Sequence, residues 1–207
     1  MTDAPALTID RAGADDFLTV LELLDEAAAW LQARGIQQWP ARFSGDGDWR
    51  TERLRKYLAD GETYLLRSDG EPIATVTWTL TADPDYAAGW PDGPDTGGYV
   101  HRMAVRRNWA GLGIGTRLLN WADTQTASAG RRWLRLDCSR TNRALQRYYE
   151  RQGFTRVGEV VADIDPGGQD HPSGEIYRRG SGALYQRPVG QEPGRDSHRW
   201  STDVVVK

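Results

Sequence analysis

The sequence predicts a mixed α/β fold, a central sheet flanked by helices. Two observations carry that prediction. Apolar residues recur at helical spacing in "ADDFLTVLELLDEAAAWLQARG", where Phe17, Val20, Leu21, Leu24, Ala28 and Leu31 share one stripe, while short β-rich runs elsewhere stand between turn residues. From Tyr99 onward the elements alternate strand, helix, strand, helix, strand, an order that lays helices against a sheet.

In order along the chain, "ALTI" at 6 to 9 reads as a first strand. The first helix follows, with Asp15 or Asp16 as its cap and Gly35 as its stop. "GDGDWRTERLRKYLADG" is a second helix between glycine stops. "ETYLLRS" and "EPIATVTWTL" flank Asp69-Gly70, the signature of a hairpin turn. Residues 82 to 98, rich in Asp, Pro and Gly, read as a long loop. "YVHRMAV" (99 to 105) is a strand, and a glycine-rich turn then opens a helix running to about Ala129. "RRWLRLDCS" is the next strand, "TNRALQRYYERQG" a helix stopped by Gly153, and "FTRVGEVV" and "GALYQRPV" are two late strands. The domain is expected over residues 5–188, with 189–207 a C-terminal tail in which "DVVV" has strand character.

Composition narrows the function. The 207 residues, 39% of them hydrophobic, suffice for one domain with a core. With 26 basic against 29 acidic residues the net charge is -3, so no electrostatic footprint for nucleic acid or an anionic membrane exists. Cys138 is the only cysteine, which rules out an internal disulfide or a cysteine-metal cluster, and no His/Asp/Glu spacing suggests a metal. Neither a signal peptide nor a membrane span is visible, and the expectation is a cytoplasmic protein, monomer or homodimer.

The segment "NWAGLGIGTRLLNWA" carries glycines at 111, 113 and 115 directly ahead of an amphipathic pattern. Each glycine costs roughly 0.5–1 kcal/mol of backbone entropy against alanine, more than a plain turn needs. A phosphate loop of the Gly-Lys-Ser/Thr kind is absent, since Arg117 follows Thr116 and no lysine precedes it. The dinucleotide fingerprint also fails, because Thr116 stands where its last glycine belongs, although Asp137 lies at a tempting distance. What remains is a pyrophosphate cradle: helix N-terminal N–H groups have no intrahelical partner, and bare backbone lets phosphate oxygens approach them.

On these residues the chain resembles the GNAT superfamily of acyl-CoA N-acyltransferases. "AGLGIG" (110 to 115) is similar to the family's Arg/Gln-x-x-Gly-x-Gly/Ala signature, with Ala110 standing where the family has Arg or Gln. "NRALQRYYERQGF" (142 to 154) resembles its second signature, an Asn, a helix carrying Tyr, then Gly-Phe. The resemblance implies the GNAT-type fold, with the sheet splayed between strands 99 to 105 and 132 to 138, and acetyl-CoA as co-substrate. It implies a pantetheine arm lying along Met103, Ala104 and Val105, with a Val105 N–H as oxyanion donor, and a pyrophosphate held by the backbone of Ala110, Gly111, Leu112, Gly113, Ile114, Gly115 and Thr116. Asn142 would cap its helix and touch the cofactor. Tyr149 would protonate or hydrogen-bond the leaving thiolate, with Tyr148 as its rival.

An alkylammonium acceptor near pKa 10.4 must lose a proton before it attacks. By alternation Tyr99, His101, Met103 and Val105 share one strand face, the side on which the resemblance puts the acetyl group, which makes His101 the candidate base, directly or through water, against a purely structural role. Cys138 has no visible base beside it and reads as a buried thiol. Trp39, Trp49 and Trp90, with Asp83, Asp85, Asp92 and Asp95 of the long loop, lie in segments on the acceptor side, where acids and aromatics suit a cationic amine, although plain solvated surface is the preferred reading of the acidic loop. His171 and His198 carry no role. The expected function is N-acetyl transfer from acetyl-CoA to a primary amine of a small molecule or peptide by direct attack. The rival is a non-catalytic acyl-CoA-binding or sensing module on the same fold.

Overall fold

In the computed structural model, which describes residues 6–36, 38–44, 49–160, 182–190 and 205–206, β1 (Leu7–Arg11) is followed by α1 (Phe17–Gln32) and α2 (Trp49–Ala59). The hairpin β2 (Thr63–Ser68) and β3 (Glu71–Thr79) turns at Asp69-Gly70, both with positive φ, as the sequence predicts. Then come β4 (Gly97–Val105), α3 (Ile114–Ser128), β5 (Trp133–Ser139), α4 (Arg143–Arg151), β6 (Thr155–Val160), β7 (Gly182–Pro188) and β8 (Val205–Val206). They form one mixed sheet in the order β6-β7-β5-β4-β3-β2-β1-β8. Of the stretch expected as a tail, Val205–Val206 pairs in parallel with β1. The long loop is shorter than expected, because Gly97 and Gly98 belong to β4, and two 3-10 turns, Ala87–Gly89 and Pro94–Thr96, interrupt it.

Two cores separate the layers. On one face α1 and α2 bury Phe17, Val20, Leu24, Leu54 and Leu58 against Leu65 and Ala104 of the sheet. On the other, α3 and α4 bury Leu118, Leu119, Trp121 and Tyr149 against Val76, Val100, Leu134 and Tyr185. Leu18 is 71% exposed, while Leu23 rather than Leu21 joins the buried stripe of α1. Trp90 is buried with Tyr99 and Leu184 beneath the 82–96 segment, and so is core rather than an acceptor contact.

Two features of β4 place the site. Its parallel pairing with β5 ends at Val100↔Leu136, so the strands separate toward their C-terminal ends, the splay that the family resemblance implies. Between His101↔Thr77 and Ala104↔Thr75, the residues Arg102 and Met103 both oppose Val76, a β-bulge, and Arg102 has φ 46°.

Candidate active site

The bulge corrects the expectation that Tyr99, His101, Met103 and Val105 share a face. An extra residue reverses the alternation. Before it, Tyr99 and His101 stack at 6.4 Å on the α2 side. After it, Met103 and Val105 pack into the α3 core, and Ala104 turns to the α1 core. His101 and Met103 therefore stand on opposite faces of one gap.

The gap is lined by backbone. Arg106 N–H donates to the Ile73 carbonyl at 2.8 Å, so the neighbouring pair Val105↔Ala74 is non-hydrogen-bonded, and the Val105 N–H and C=O point away from β3. On that side β5 no longer pairs with β4.

At the same end of the sheet lies the glycine turn. Gly111 and Gly113 have φ of 82° and 76°, and nothing within 4 Å would meet a side chain at either. Backbone conformation and open space, not packing, explain these two. Gly113 is the N-cap of α3, whose first backbone bond runs from Arg117 N–H to the Gly113 carbonyl at 3.1 Å. The N–H groups ahead of it are those a helix leaves without partners. Gly115 differs: a Cβ there would lie 2.7 Å from the Tyr148 hydroxyl, which also hydrogen-bonds Thr116. Ala110 closes the short 3-10 turn Arg107–Trp109 with extended backbone, and Leu112 between the glycines is 60% exposed. Asn142 caps α4, its Oδ1 accepting the Leu145 N–H at 3.1 Å and its amide donating to Gln38 Oε1 at 3.3 Å, so both ends of its amide are engaged within the chain.

Tyr149 lies in the core against Phe154 and Tyr185. Burial raises its hydroxyl well above the ordinary tyrosine value, aided by Cys138, Tyr148 and Asp137. Cys138 is buried and pushed up to about 12, chiefly by burial, which suits an inert thiol.

Across the gap, His101 is 14% exposed and its Nδ1 lies 3.8 Å from Asp137 Oδ1, while its Nε2 is buried without a hydrogen-bond partner. Burial, then the Arg102 charge, lowers the imidazole to about 4. Burial, then the Asp83 charge, raises Asp137 to about 6. Asp137 is the residue that the sequence reading missed: its distance from the glycines tied it to dinucleotide binding, when the useful signal was an acid at the end of the strand beside His101.

On the other side of Tyr57 opens a cavity of about 470 Å³, walled by Arg53, Lys56, Tyr57, Asp60, Glu62, Asp83 and Asp85 among others, with His101 outside its lining. Tyr57 stacks on His101 at 6.4 Å. Arg53 bonds Asp83 at 2.6 Å and the Tyr57 hydroxyl at 3.0 Å. Burial opposes both charges, but their pairing outweighs it, raising Arg53 and lowering Asp83. Of the other loop acids, Asp92 is held by Arg135 and Trp133, away from this cavity. Trp39 packs on Phe43 at 5.2 Å. The Trp49 side chain, His171 and His198 lie outside the described residues. Among those described, no group of three or more His, Cys, Asp or Glu could hold a metal ion, and no helix is long and apolar enough to cross a membrane.

Residues 24–154 match the model of the acetyltransferase (GNAT) family. The chain belongs to that family. As a GNAT acyltransferase it is 32% identical over 146 residues to the uncharacterized N-acetyltransferase YesJ of Bacillus subtilis, covering 70% of this chain and 79% of that protein. It is 30% identical over 134 residues to the mycothiol acetyltransferase of Geodermatophilus obscurus, covering 62% of this chain but only 41% of that one. Among solved structures, a GNAT acetyltransferase of Listeria monocytogenes matches with TM-score 0.64 at 20% identity, covering 88% of this chain and 95% of that one. The PaiA N-acetyltransferase of Thermoplasma acidophilum, in complex with coenzyme A, matches with TM-score 0.59 at 16% identity, covering 88% and 99%. At these identities the structural likeness speaks to the fold of the GNAT enzyme.

Proposed function

We propose that the protein transfers the acetyl group of acetyl-CoA to a primary amine by direct attack, in the cytoplasm. One observation carries the reading: at the end of the sheet where β4 leaves β5, outward-facing Val105 backbone, the bare glycine turn of α3 and the His101–Asp137 pair surround a single gap. Acetyl-CoA, when bound, supplies the acetyl group as a thioester.

The residues fit such a group. Gly111 to Thr116 would hold the pyrophosphate through backbone N–H groups, with Ala110 contributing no side-chain donor. Met103, Ala104 and Val105 would take the pantetheine arm as an added strand edge. The Val105 N–H is the donor for developing negative charge on the acetyl oxygen, a contact worth roughly 3 kcal/mol.

An ammonium acceptor must give up one proton before attack and another as the amide forms. His101, neutral at pH 7, receives the first at Nε2 or relays it through water, and Asp137, with a pKa about 6, is the stronger base in which it comes to rest. The second leaves with the thiol. Tyr149 serves that end by hydrogen-bonding sulfur, because its raised pKa puts full proton transfer to a thiolate further uphill than an ordinary tyrosine would.

The rival reading, an acyl-CoA-binding or sensing module, draws on Ala110 alone. A screen of amines with acetyl-CoA, read by release of the CoA thiol, separates them. Acetylation of any primary amine establishes the enzyme, while a melting temperature raised by acetyl-CoA with no turnover establishes the rival. No rise at millimolar acetyl-CoA sinks both.

A further inference from the structure

Among the described residues, burial pulls two arginines below their ordinary pKa, Arg102 and Arg187. Arg187 is compensated, meeting Asp123 at 3.2 Å and the Gln152 and Leu119 carbonyls at 2.9 and 3.2 Å. Arg102 is not. Its partner is Tyr57, whose ring centroid lies 5.0 Å from the guanidinium, and no carboxylate among the described residues forms an ion pair with it. Asp83, whose charge reaches it, is engaged by Arg53 at 2.6 Å. A largely buried charge without a counter-ion is costly, and a cation so placed marks where an anion is missing. Arg102 also occupies the bulge with φ 46°, a strained conformation for a residue with a side chain, of the kind that surrounding structure retains at functional sites.

We infer that the acceptor carries a carboxylate as well as its amine, and that Arg102 binds that carboxylate: the substrate class is an amino acid or a molecule with a free amino and a free carboxylate group. This rests on the acetyltransferase reading. Tyr57 joins the pieces, since it forms part of the wall of the 470 Å³ cavity, stacks on His101 and faces Arg102. His101 and Arg102 lie outside the cavity wall and meet it through Tyr57, so an acceptor that extends from the cavity past the Tyr57 ring reaches His101 with its nitrogen and Arg102 with its carboxylate. The charges match a zwitterion. With Arg53 paired to Asp83 and Lys56 to Asp60, the wall keeps the acids Glu62 and Asp85, so the ammonium meets acids there and at Asp137 while Arg102 meets the carboxylate. A single uncompensated guanidinium balances a monoanion, and its planar fork suits a carboxylate, whereas a phosphate dianion would leave one charge over.

The test uses the full chain with acetyl-CoA and measures CoA release. The acceptors are the common amino acids, their α-carboxamides and their decarboxylated amines, together with β-alanine, taurine and phosphoethanolamine as carboxylate, sulfonate and phosphate on one spacer. The proposal expects the best acceptor to exceed its own carboxamide by about 10²-fold or more in kcat/KM. That ratio should collapse toward one in Arg102→Gln and in Arg102→Gly, the latter also relieving the positive φ so that folding is secure. Arg102→Lys, which keeps the charge without the fork, should give an intermediate ratio. The proposal is overturned if carboxamides or decarboxylated amines serve as well as the acids, if phosphoethanolamine exceeds β-alanine, or if the ratio survives in Arg102→Gln. Should no amine of any kind react while acetyl-CoA still raises the melting temperature, acetyl transfer itself fails, and binding decides the present point. Amino acids that stabilise the CoA-saturated wild type but not Arg102→Gln uphold the carboxylate site, and no stabilisation of either protein removes it.

Discussion

From Gly97 to Val100, β4 pairs with β5, and at Tyr99 and Val100 with β3 as well; from His101 to Val105 it has β3 alone. The paired half is built for stability. Arg135, fully buried against it, meets Asp92, the Gly93 carbonyl at 2.7 Å, Tyr99 at 3.1 Å and Gln186 at 3.1 Å. A Cβ on Gly97 would approach Arg135 to 2.6 Å, so the strand fits there only without one. In the other half the polar groups lack partners: His101 Nε2 is buried and orphaned, Arg102 has no ion-paired acid among the described residues and the Val105 N–H faces no strand. One strand thus holds the sheet with its first residues and leaves its last ones without a partner strand on one side.

The largest effect that separates the halves is expected at Asp137. Asp137→Asn should lower turnover by about 10²–10⁴-fold if the carboxylate accepts the amine proton. It should also stabilise the protein. Folding raises this carboxyl from 3.8 to about 6, so its protonated form favours the folded state, a benefit present below about pH 4 and lost as pH rises through about 6. At pH 8 the ionised group opposes folding, and the variant should melt higher than the wild type there but not at pH 4. The wild-type rate should climb as pH rises through about 6, and that limb should vanish in Asp137→Asn. A variant of normal activity that melts lower at pH 8 would place Asp137 with the structural half.

Next comes Tyr149→Phe, expected to cut turnover by about 10²-fold with the KM for acetyl-CoA nearly unchanged, because the lost contact belongs to the transition state. Tyr148→Phe should do the reverse, raising that KM, since its hydroxyl sits against Gly115 and Thr116 at the start of α3. Equal small losses would leave catalysis to positioning and backbone, and a turnover loss only at Tyr148 would exchange the two roles.

In the paired half, Gly98→Val should destabilise by about 1–3 kcal/mol, because the added carbons overlap Thr126 and Trp78. Calorimetry should register a fall of roughly 2–4 °C per kcal/mol, and acetyl-CoA should still stabilise the folded fraction. An unchanged melting temperature would mean that this half is looser than its packing implies. The smallest effect is expected from Ala110→Arg, which adds one exposed cation to the glycine turn. Acetyl-CoA affinity should rise by about 0–1 kcal/mol in titration calorimetry, and a clear loss would show that the turn binds something else or nothing.

The glycine turn and the Asn-to-Phe block were legible because their meaning is local: positive φ at Gly111 and Gly113 and a helix cap at Asn142 are properties of neighbouring residues. The acceptor side was not. Arg53 and Tyr57 come from α2, Asp83 from the loop before β4, and Asp137 from β5, so no spacing in the chain links them. The face shared by His101 and Met103 was misjudged for a related reason. Simple alternation assumes one residue opposite one, and the bulge at Arg102 depends on how β3 and β4 meet.

By itself, then, the sequence determined the order of helices and strands, the hairpin at Asp69-Gly70 and the glycine-opened α3, since each rests on periodicity or backbone conformation within a short window, and two short motifs in it carried the resemblance to the family. Only the tertiary structure decided that β4 parts from β5 after Val100, that Asp137 stands beside His101, and that Arg102 is partly buried with no ion-paired acid among the described residues. Those are consequences of burial and of distances between segments far apart in the chain. The dielectric surroundings that lower His101 and raise Asp137 exist only once the sheet and α2 have closed over them.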